Sequence, residues 1–252
     1  MKNLYISLFI VATFSLTGYS QSQHSRFDVN GDGELTVSDV SAIYDHLLGI
    51  LPSINGHAYV DLGLPSGTLW ATMNVGANSP EEYGDFFAWG ETTTKDVYDW
   101  STYLWCNGSN NTLTKYCYKE DYGYNGFVDN VRVLYPEDDA ATANWGPGWY
   151  MPTYAQIKEL TSKCTTEWTA INGVYGQLFT SRINGETVFF PAAGYHTDTW
   201  YQAGVNGYYW SGEIGGTTYI AYILDVDADG GTWGNAHRCN GYSVRPVSTP
   251  QK

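Results

Sequence analysis

A chain of 252 residues is long enough for one sizeable core and a small extra module. Its 26 acidic and 12 basic residues give a formal charge of -14, which repels phosphate backbones and anionic lipid headgroups, so nucleic acid and membrane surfaces are not expected partners while neutral and cationic ones are. Charged residues make up 15% and aromatics 16%, with 10 Trp, 22 Tyr and 28 Gly; that is the recipe of a loop-rich globule pinned by large rings, not of a helical bundle, a doubly wound sheet or a disordered chain.

In chain order, Lys2, an apolar run over residues 4–16 and the small residues Gly18 and Ser20 read as an export signal over 1–20, cut after Ser20. The run is shorter than the roughly 20 residues a membrane span needs. The mature protein is then expected outside the cell or on its surface. There the four cysteines, Cys106, Cys117, Cys164 and Cys239, can form disulfides. Four cysteines permit three pairings; Cys106 with Cys117 is mildly favoured because it closes a short, turn-rich loop, and buried free thiols are the alternative.

Residues 21–49 carry Asp28, Asn30, Asp32, Gly33, Glu34, Thr36 and Asp39 at the spacing of a twelve-residue calcium loop. Alternate oxygens converge on one hard cation, Gly33 permits the sharp turn, the Glu34 carbonyl closes the ring and Asp39 enters from the next helix. That helix shows as the stripe Val40, Ile43, Tyr44, Leu47 and Leu48, stopped by Gly49. Residues 50–57 read as a linker.

The principal domain, 58–248, opens with strands at 60–62 and 68–73 around Pro65-Ser-Gly67. Ser79, Pro80 and Glu82 predict a short capped helix over 79–83, before an apolar run at 86–89. Residues 91–130 are polar, aromatic and irregular. A helix is expected over 136–143, and another after the capping pair Thr153 and Gln156, running through Ile157, Leu160 and Cys164. Strands follow at 168–171, 174–181 and 187–190, turned by Asn172-Gly173 and Asn184-Gly185. The last strands are 208–211, 219–226 and 242–247, with 194–207 and 227–240 as long surface connections.

Those two connections supply the candidate ligand surface. Tyr195, His196, Asp198, Trp200 and Tyr201 lie on the first, and Trp233, Asn235, His237 and Asn240 on the second. Rings beside amide and carboxylate groups stack on the apolar face of a sugar or anchor a protein hot spot. Asp225, Asp227 and Asp229 alternate, but Ala236 stands at the twelfth position of any calcium loop, so an acidic hairpin turn is favoured over a metal site. Arg245, between Val244 and Pro246, is expected to pair with a buried acid or with carbonyls as the last strand closes the fold. The histidines (His24, His46, His57, His196, His237) show no metal-ligand spacing, and neither a nucleophile elbow nor a phosphate loop is present, so no enzyme is expected.

The phrases Tyr59-Val-Asp-Leu-Gly-Leu-Pro-Ser-Gly-Thr-Leu-Trp-Ala71, Gly146-Pro-Gly-Trp-Tyr-Met-Pro-Thr153, Gly207-Tyr-Tyr-Trp-Ser211 and Gly241-Tyr-Ser-Val-Arg-Pro-Val247 resemble the Fibrobacter succinogenes major paralogous domain, common in secreted Bacteroidetes proteins. The resemblance implies an α+β, C-type lectin-like domain with few short helices, antiparallel strands, long loops on one side and chain ends near one another. It also implies kinship with formylglycine-generating enzymes, whose copper chemistry needs two nearby C-terminal cysteines where this chain has Cys239 alone. The tripeptides typical of calcium-dependent sugar loops are absent. The calcium loop resembles one dockerin repeat, where a dockerin has two. The expected function is an exported, non-catalytic recognition protein for a glycan or protein ligand. The alternatives are a scaffold component docking a cohesin-like partner through its calcium module, or a ligand binder whose late loops a retroelement diversifies.

Overall fold

The computed structural model describes residues 51–249, with Thr36 before them, and the compact unit they form begins at Pro52. The export signal, the calcium-loop residues Asp28, Asn30, Asp32, Glu34 and Asp39, and the helix after them lie outside the described residues.

Among the described residues the architecture is mostly antiparallel sheet with two short α-helices. One sheet joins β1 (Ser53–Ile54), β2 (His57–Asp61), β3 (Leu69–Ala71) and β14 (Val247–Ser248) in that order. Asn55 and Gly56, at φ of 50° and 82°, turn β1 into β2, so part of the expected linker is the first hairpin of the domain. The hairpin of β2 and β3 forms around Pro65-Ser-Gly67 as expected, and Trp70 is the Cα partner of both Val60 and Val247, which brings the last strand beside the first ones.

The larger sheet has the order β12-β11-β10-β13-β4, from β12 (Gly230–His237) through β11 (Ile220–Asp227), β10 (Gly207–Ile214) and β13 (Tyr242–Ser243) to β4 (Phe86–Phe87). Only its β10–β13 pairing is parallel. Residues 227–240, expected as a surface connection, thus contain a strand paired with β11 from Ile220↔His237 to Asp227↔Gly230. The expected strand over 242–247 is two short ones in different sheets. Arg245 sits between them, fully buried, its Nε donating to Asn74 Oδ1 at 2.8 Å and its Nη1 to the Ala71 carbonyl at 3.1 Å. An amide and a carbonyl, rather than an acid, take the guanidinium, and burial lowers its pKa to about 10.

A third sheet is the meander β5 (Cys164–Ile171), β6 (Val174–Ser181) and β7 (Thr187–Pro191). Asn172 (φ 49°) and Gly173 (φ 84°) make the two-residue turn between β5 and β6 that their sequence predicts. The small hairpin of β8 (Tyr195–His196) and β9 (Trp200–Tyr201) is a two-stranded sheet of its own, bridged to the rest of the domain at His196↔Gly241 and Gly194↔Gly207.

Helix α1 (Ala140–Trp145) is capped by Asp139, whose carboxylate accepts from the amides of Ala141, Thr142 and Met151. Residues 136–138, expected as its first turn, are a separate 3-10 turn. Helix α2 (Tyr154–Lys163) carries the capping box of Thr153 and Gln156 and buries Ile157 and Leu160 against Val60, Phe179 and Phe190. It stops one residue short of expectation: Cys164 is extended and opens β5. Residues 79–83 make a turn instead of a helix. The Glu82 carboxylate caps the amide of Asn78 at 2.8 Å, but Gly84, at φ 69°, ends the segment within one turn.

Large rings make the core. Trp70, Trp89, Trp149 and Trp210 are fully buried, and the last three donate their indole N–H to the carbonyls of Ser211, Ile54 and Phe87. A buried ring with its one polar atom satisfied contributes its whole apolar area to stability. All four cysteines are free thiols. Cys106 and Cys117 are not bridged; the Cys106 Sγ lies 3.1 Å from the Trp100 carbonyl and the Cys117 Sγ 3.2 Å from that of Lys119.

Candidate functional site

The β8–β9 hairpin carries five of the residues singled out in the sequence, and it is anchored on both sides. His196 exchanges two 2.9 Å backbone hydrogen bonds with Gly241, and the Tyr98 amide donates to the Thr197 carbonyl at 2.9 Å. Gly241 is required there by close approach: a Cβ would stand 2.8–2.9 Å from ring atoms of Tyr98. The turn is tied by Asp198, whose Oδ1 accepts from Thr197 Oγ1, the Thr199 amide and Tyr201 Oη at 2.9, 3.0 and 3.2 Å. The Thr197 bond is the first cause holding this carboxyl below its ordinary pKa. Asp198 therefore braces its own turn.

From that frame two aromatic sets project. Tyr201 stacks on Tyr195 at 5.3 Å, Tyr195 meets Tyr208 and Tyr242 edge-on, and Tyr242 stacks on Trp210 at 4.5 Å, a continuous ladder from an exposed phenol to a wholly buried indole. Asn240 joins it by donating to Tyr242 Oη at 3.2 Å. The second set surrounds Trp200, which is 48% exposed. Its indole N–H donates to the Ala193 carbonyl at 2.7 Å, and its ring is edge-on to Tyr83 at 5.3 Å and to Phe86 at 6.1 Å. An exposed indole fixed by one hydrogen bond and two ring contacts loses little side-chain entropy when a ligand covers it.

Beside this set lies a shallow cavity of about 170 Å³ lined by Asp85, Phe86, Thr94, Lys95, Tyr98 and His196. It is smaller than the roughly 300–1,000 Å³ of pockets that engulf a drug-sized molecule, so it suits one residue of a larger ligand. Lys95 is held by Glu91 at 2.8 Å and by the Thr102 carbonyl at 3.0 Å, and Tyr98 Oη donates to the Phe86 carbonyl. His196 Nδ1 faces the Thr197 carbonyl at 3.0 Å; Nε2 makes no hydrogen bond among the described residues, nor does the exposed Asp85 carboxylate. Those two groups remain for a ligand. A second cavity, about 220 Å³ beside α1, is lined by the carboxylate of Asp139, already engaged in capping.

Sequence reasoning missed Tyr83, Asp85, Phe86 and Tyr98. Tyr83 lies in the expected helix over 79–83, Phe86 in the apolar run at 86–89 with Asp85 just before it, and Tyr98 in the irregular residues 91–130, none of them read as a binding surface.

The remaining candidates sit elsewhere. Trp233 lies on β12, edge-on to Tyr154 at 5.1 Å and near Tyr222. Asn235 is the cross-strand partner of Tyr222, and His237 stands near Trp100 and Tyr219. The Trp200 set rests on Phe86 of β4, at the opposite edge of the five-stranded sheet from β12. Four spacings of about 4.8 Å separate those edge strands by about 19 Å. The two tryptophans expected on one surface thus belong to separate aromatic clusters.

Asp225 and Asp227 lie on β11, and the Asp229 amide donates to Asp227 Oδ1 at 2.8 Å in the turn that follows. Among the described residues no three His, Cys, Asp or Glu side chains converge as a metal site. Comparison with family models, with curated proteins and with solved structures finds no match.

Proposed function

We propose that this chain is an exported, non-catalytic recognition protein whose β8–β9 hairpin and the neighbouring cavity bind one exposed residue of a glycan or protein ligand. The single observation that carries this reading is Trp200: half exposed, yet fixed by its indole hydrogen bond, with the uncommitted polar groups of His196 and Asp85 on the adjacent cavity. A flat ring beside a few convergent polar atoms is the arrangement that stacks on a sugar face or receives a hot-spot side chain.

The resemblance to the Fibrobacter succinogenes major paralogous domain belongs to the same proposal, with a C-type lectin-like body presenting this hairpin. It is supported, among the described residues, by the predominance of antiparallel strands, the two short helices and the pairing of β14 with β3, which brings the ends of the domain together. The calcium loop would then stiffen the segment that precedes the domain.

The test is binding of the full mature chain to broad glycan and protein arrays, followed by titration of the best ligand. Trp200→Ala should weaken binding roughly thirtyfold, the effect of losing an anchor of about 2 kcal/mol. Its melting temperature should stay within about 2 °C, since surface substitutions move stability little. Trp233→Ala should leave this binding unchanged. Absence of any array ligand, or a ligand indifferent to Trp200→Ala, would overturn the proposal.

A further inference from the structure

β12 is the outer strand of the five-stranded sheet, and among the described residues the backbone of residues 231–236 bonds to β11 alone. Exposed edges are ordinarily guarded by Lys, Pro, a bulge or brevity. β12 has none of these guards: eight residues run in unbroken register, and Gly-Gly-Thr-Trp-Gly-Asn-Ala-His contains no formal charge and no proline.

Its two faces differ in a way that would select what lies beside it. On one face Trp233, 42% exposed, stands against the stacked pair of Tyr154 and Tyr222, whose ring centroids are 4.1 Å apart. On the other face the pleat is bare at Gly234, where a Cβ would meet only Ile223, at 3.4 Å. A strand laid alongside would place one side chain next to Trp233 and a bulky apolar one next to Gly234, the pairing that compensates an edge glycine. Asp227 ends β11 and Asp229 lies in the turn that leads into β12, and Glu167 follows Thr166, which lies at Gly230. With a formal charge of -14 on each chain, a second copy is repelled where a cationic segment is drawn in.

We infer that β12 is a strand-addition edge for an extended segment of another protein, in which apolar residues alternate with Lys or Arg. Main-chain hydrogen bonds to β12 would supply the affinity, Gly234 the choice of an apolar side chain on one face, and the Trp233 ring that of a cation on the other. This surface is independent of the Trp200 site.

The test uses the full mature chain, isotope-labelled, and an end-blocked octapeptide of alternating Lys and Val. The amides of residues 231–237 should shift on titration, with a Kd below about 1 mM. A peptide with Glu in place of Lys should bind about tenfold more weakly or worse. N-methylation along one edge of the Lys peptide should abolish the shifts, and along the other leave them, as strand pairing requires. Thr232→Lys, an exposed substitution that places a guarding charge on the edge, should weaken binding about tenfold, and Trp200→Ala should leave it unchanged. Equal binding of the Lys and Glu peptides, shifts confined to the Trp200 region, insensitivity to both patterns of N-methylation, or self-pairing through β12 on concentration would each overturn the inference.

Discussion

Replacing Arg238 should loosen the long irregular segment over residues 91–130. Arg238 follows β12 directly and is fully buried without a carboxylate partner among the described residues. Its Nε donates to Tyr103 Oη at 2.9 Å, Nη1 to the carbonyls of Tyr116 and Thr218 at 3.0 and 2.9 Å, and Nη2 to the carbonyl of Lys115 at 3.1 Å, while the guanidinium lies 4.7 Å over Trp89. Tyr103 passes the contact on by donating to the Trp89 carbonyl at 2.7 Å. One side chain thus fastens residues 103, 115 and 116 to the end of the large sheet. Arg238→Met keeps most of the volume but leaves the carbonyls of Thr218 and Lys115 without a donor, while that of Tyr116 keeps the Thr218 hydroxyl at 3.2 Å. At about 1–3 kcal/mol for each buried group left unsatisfied, less whatever water recovers and the desolvation of the guanidinium that is no longer incurred, the loss should be about 2–4 kcal/mol. For a domain near 200 residues that is a fall in Tm of about 4–16 °C, read by calorimetry. Limited proteolysis should then cut first within residues 91–130. A variant as stable as the parent and cut no faster there would refute the reasoning, because it would mean that a buried cation on carbonyls adds nothing over an apolar side chain.

Two further outcomes follow from the same geometry. Gly241→Ala should cost about 1–3 kcal/mol by forcing the Tyr98 ring aside, with a change in near-UV dichroism; Tyr98→Leu in the same chain should recover part of it, and no recovery would separate the glycine from that ring. Burial pushes the Asp139 carboxyl up to about 6 against the lowering effect of its three amide donors. The folded form therefore holds a proton that the unfolded chain has released, so this residue's contribution to stability falls as pH rises from about 4 to about 6, by on the order of 3 kcal/mol at most. Asp139→Asn should flatten that part of a urea-midpoint profile against pH, and an unchanged slope would show that other groups set it.

Elements fixed by neighbours in the chain were legible. Thr153 and Gln156 close the capping box of α2 across three residues, and Asn172-Gly173 supplies the left-handed pair that a two-residue hairpin demands, so both could be placed from local chemistry. β12 could not. Its three glycines and its Asn lower strand propensity, and only pairing with β11 and packing under Phe179, which fills the space a side chain at Gly231 would take, hold it extended. Arg238 was passed over for a related reason: its acceptors lie 20 to 135 residues away, and nothing adjacent to it marks it as buried.

The candidate site divides along the same line. That residues 194–207 expose rings was visible in the sequence, because aromatics without a repeating period between glycines cannot all turn inward. That Trp200 and Trp233 belong to different clusters was not, since it depends on sheet order, and β12 and β4 become opposite edges only because β13 enters between β10 and β4. The consequence is functional. A single small ligand cannot span about 19 Å of sheet, so any dependence of binding on both tryptophans requires either a ligand with two separated epitopes or two ligands. Measuring Trp200→Ala, Trp233→Ala and the double variant against one ligand distinguishes these cases. Independent sites give additive free energies, whereas a bridging ligand loses most of its avidity with either change and little more with the second.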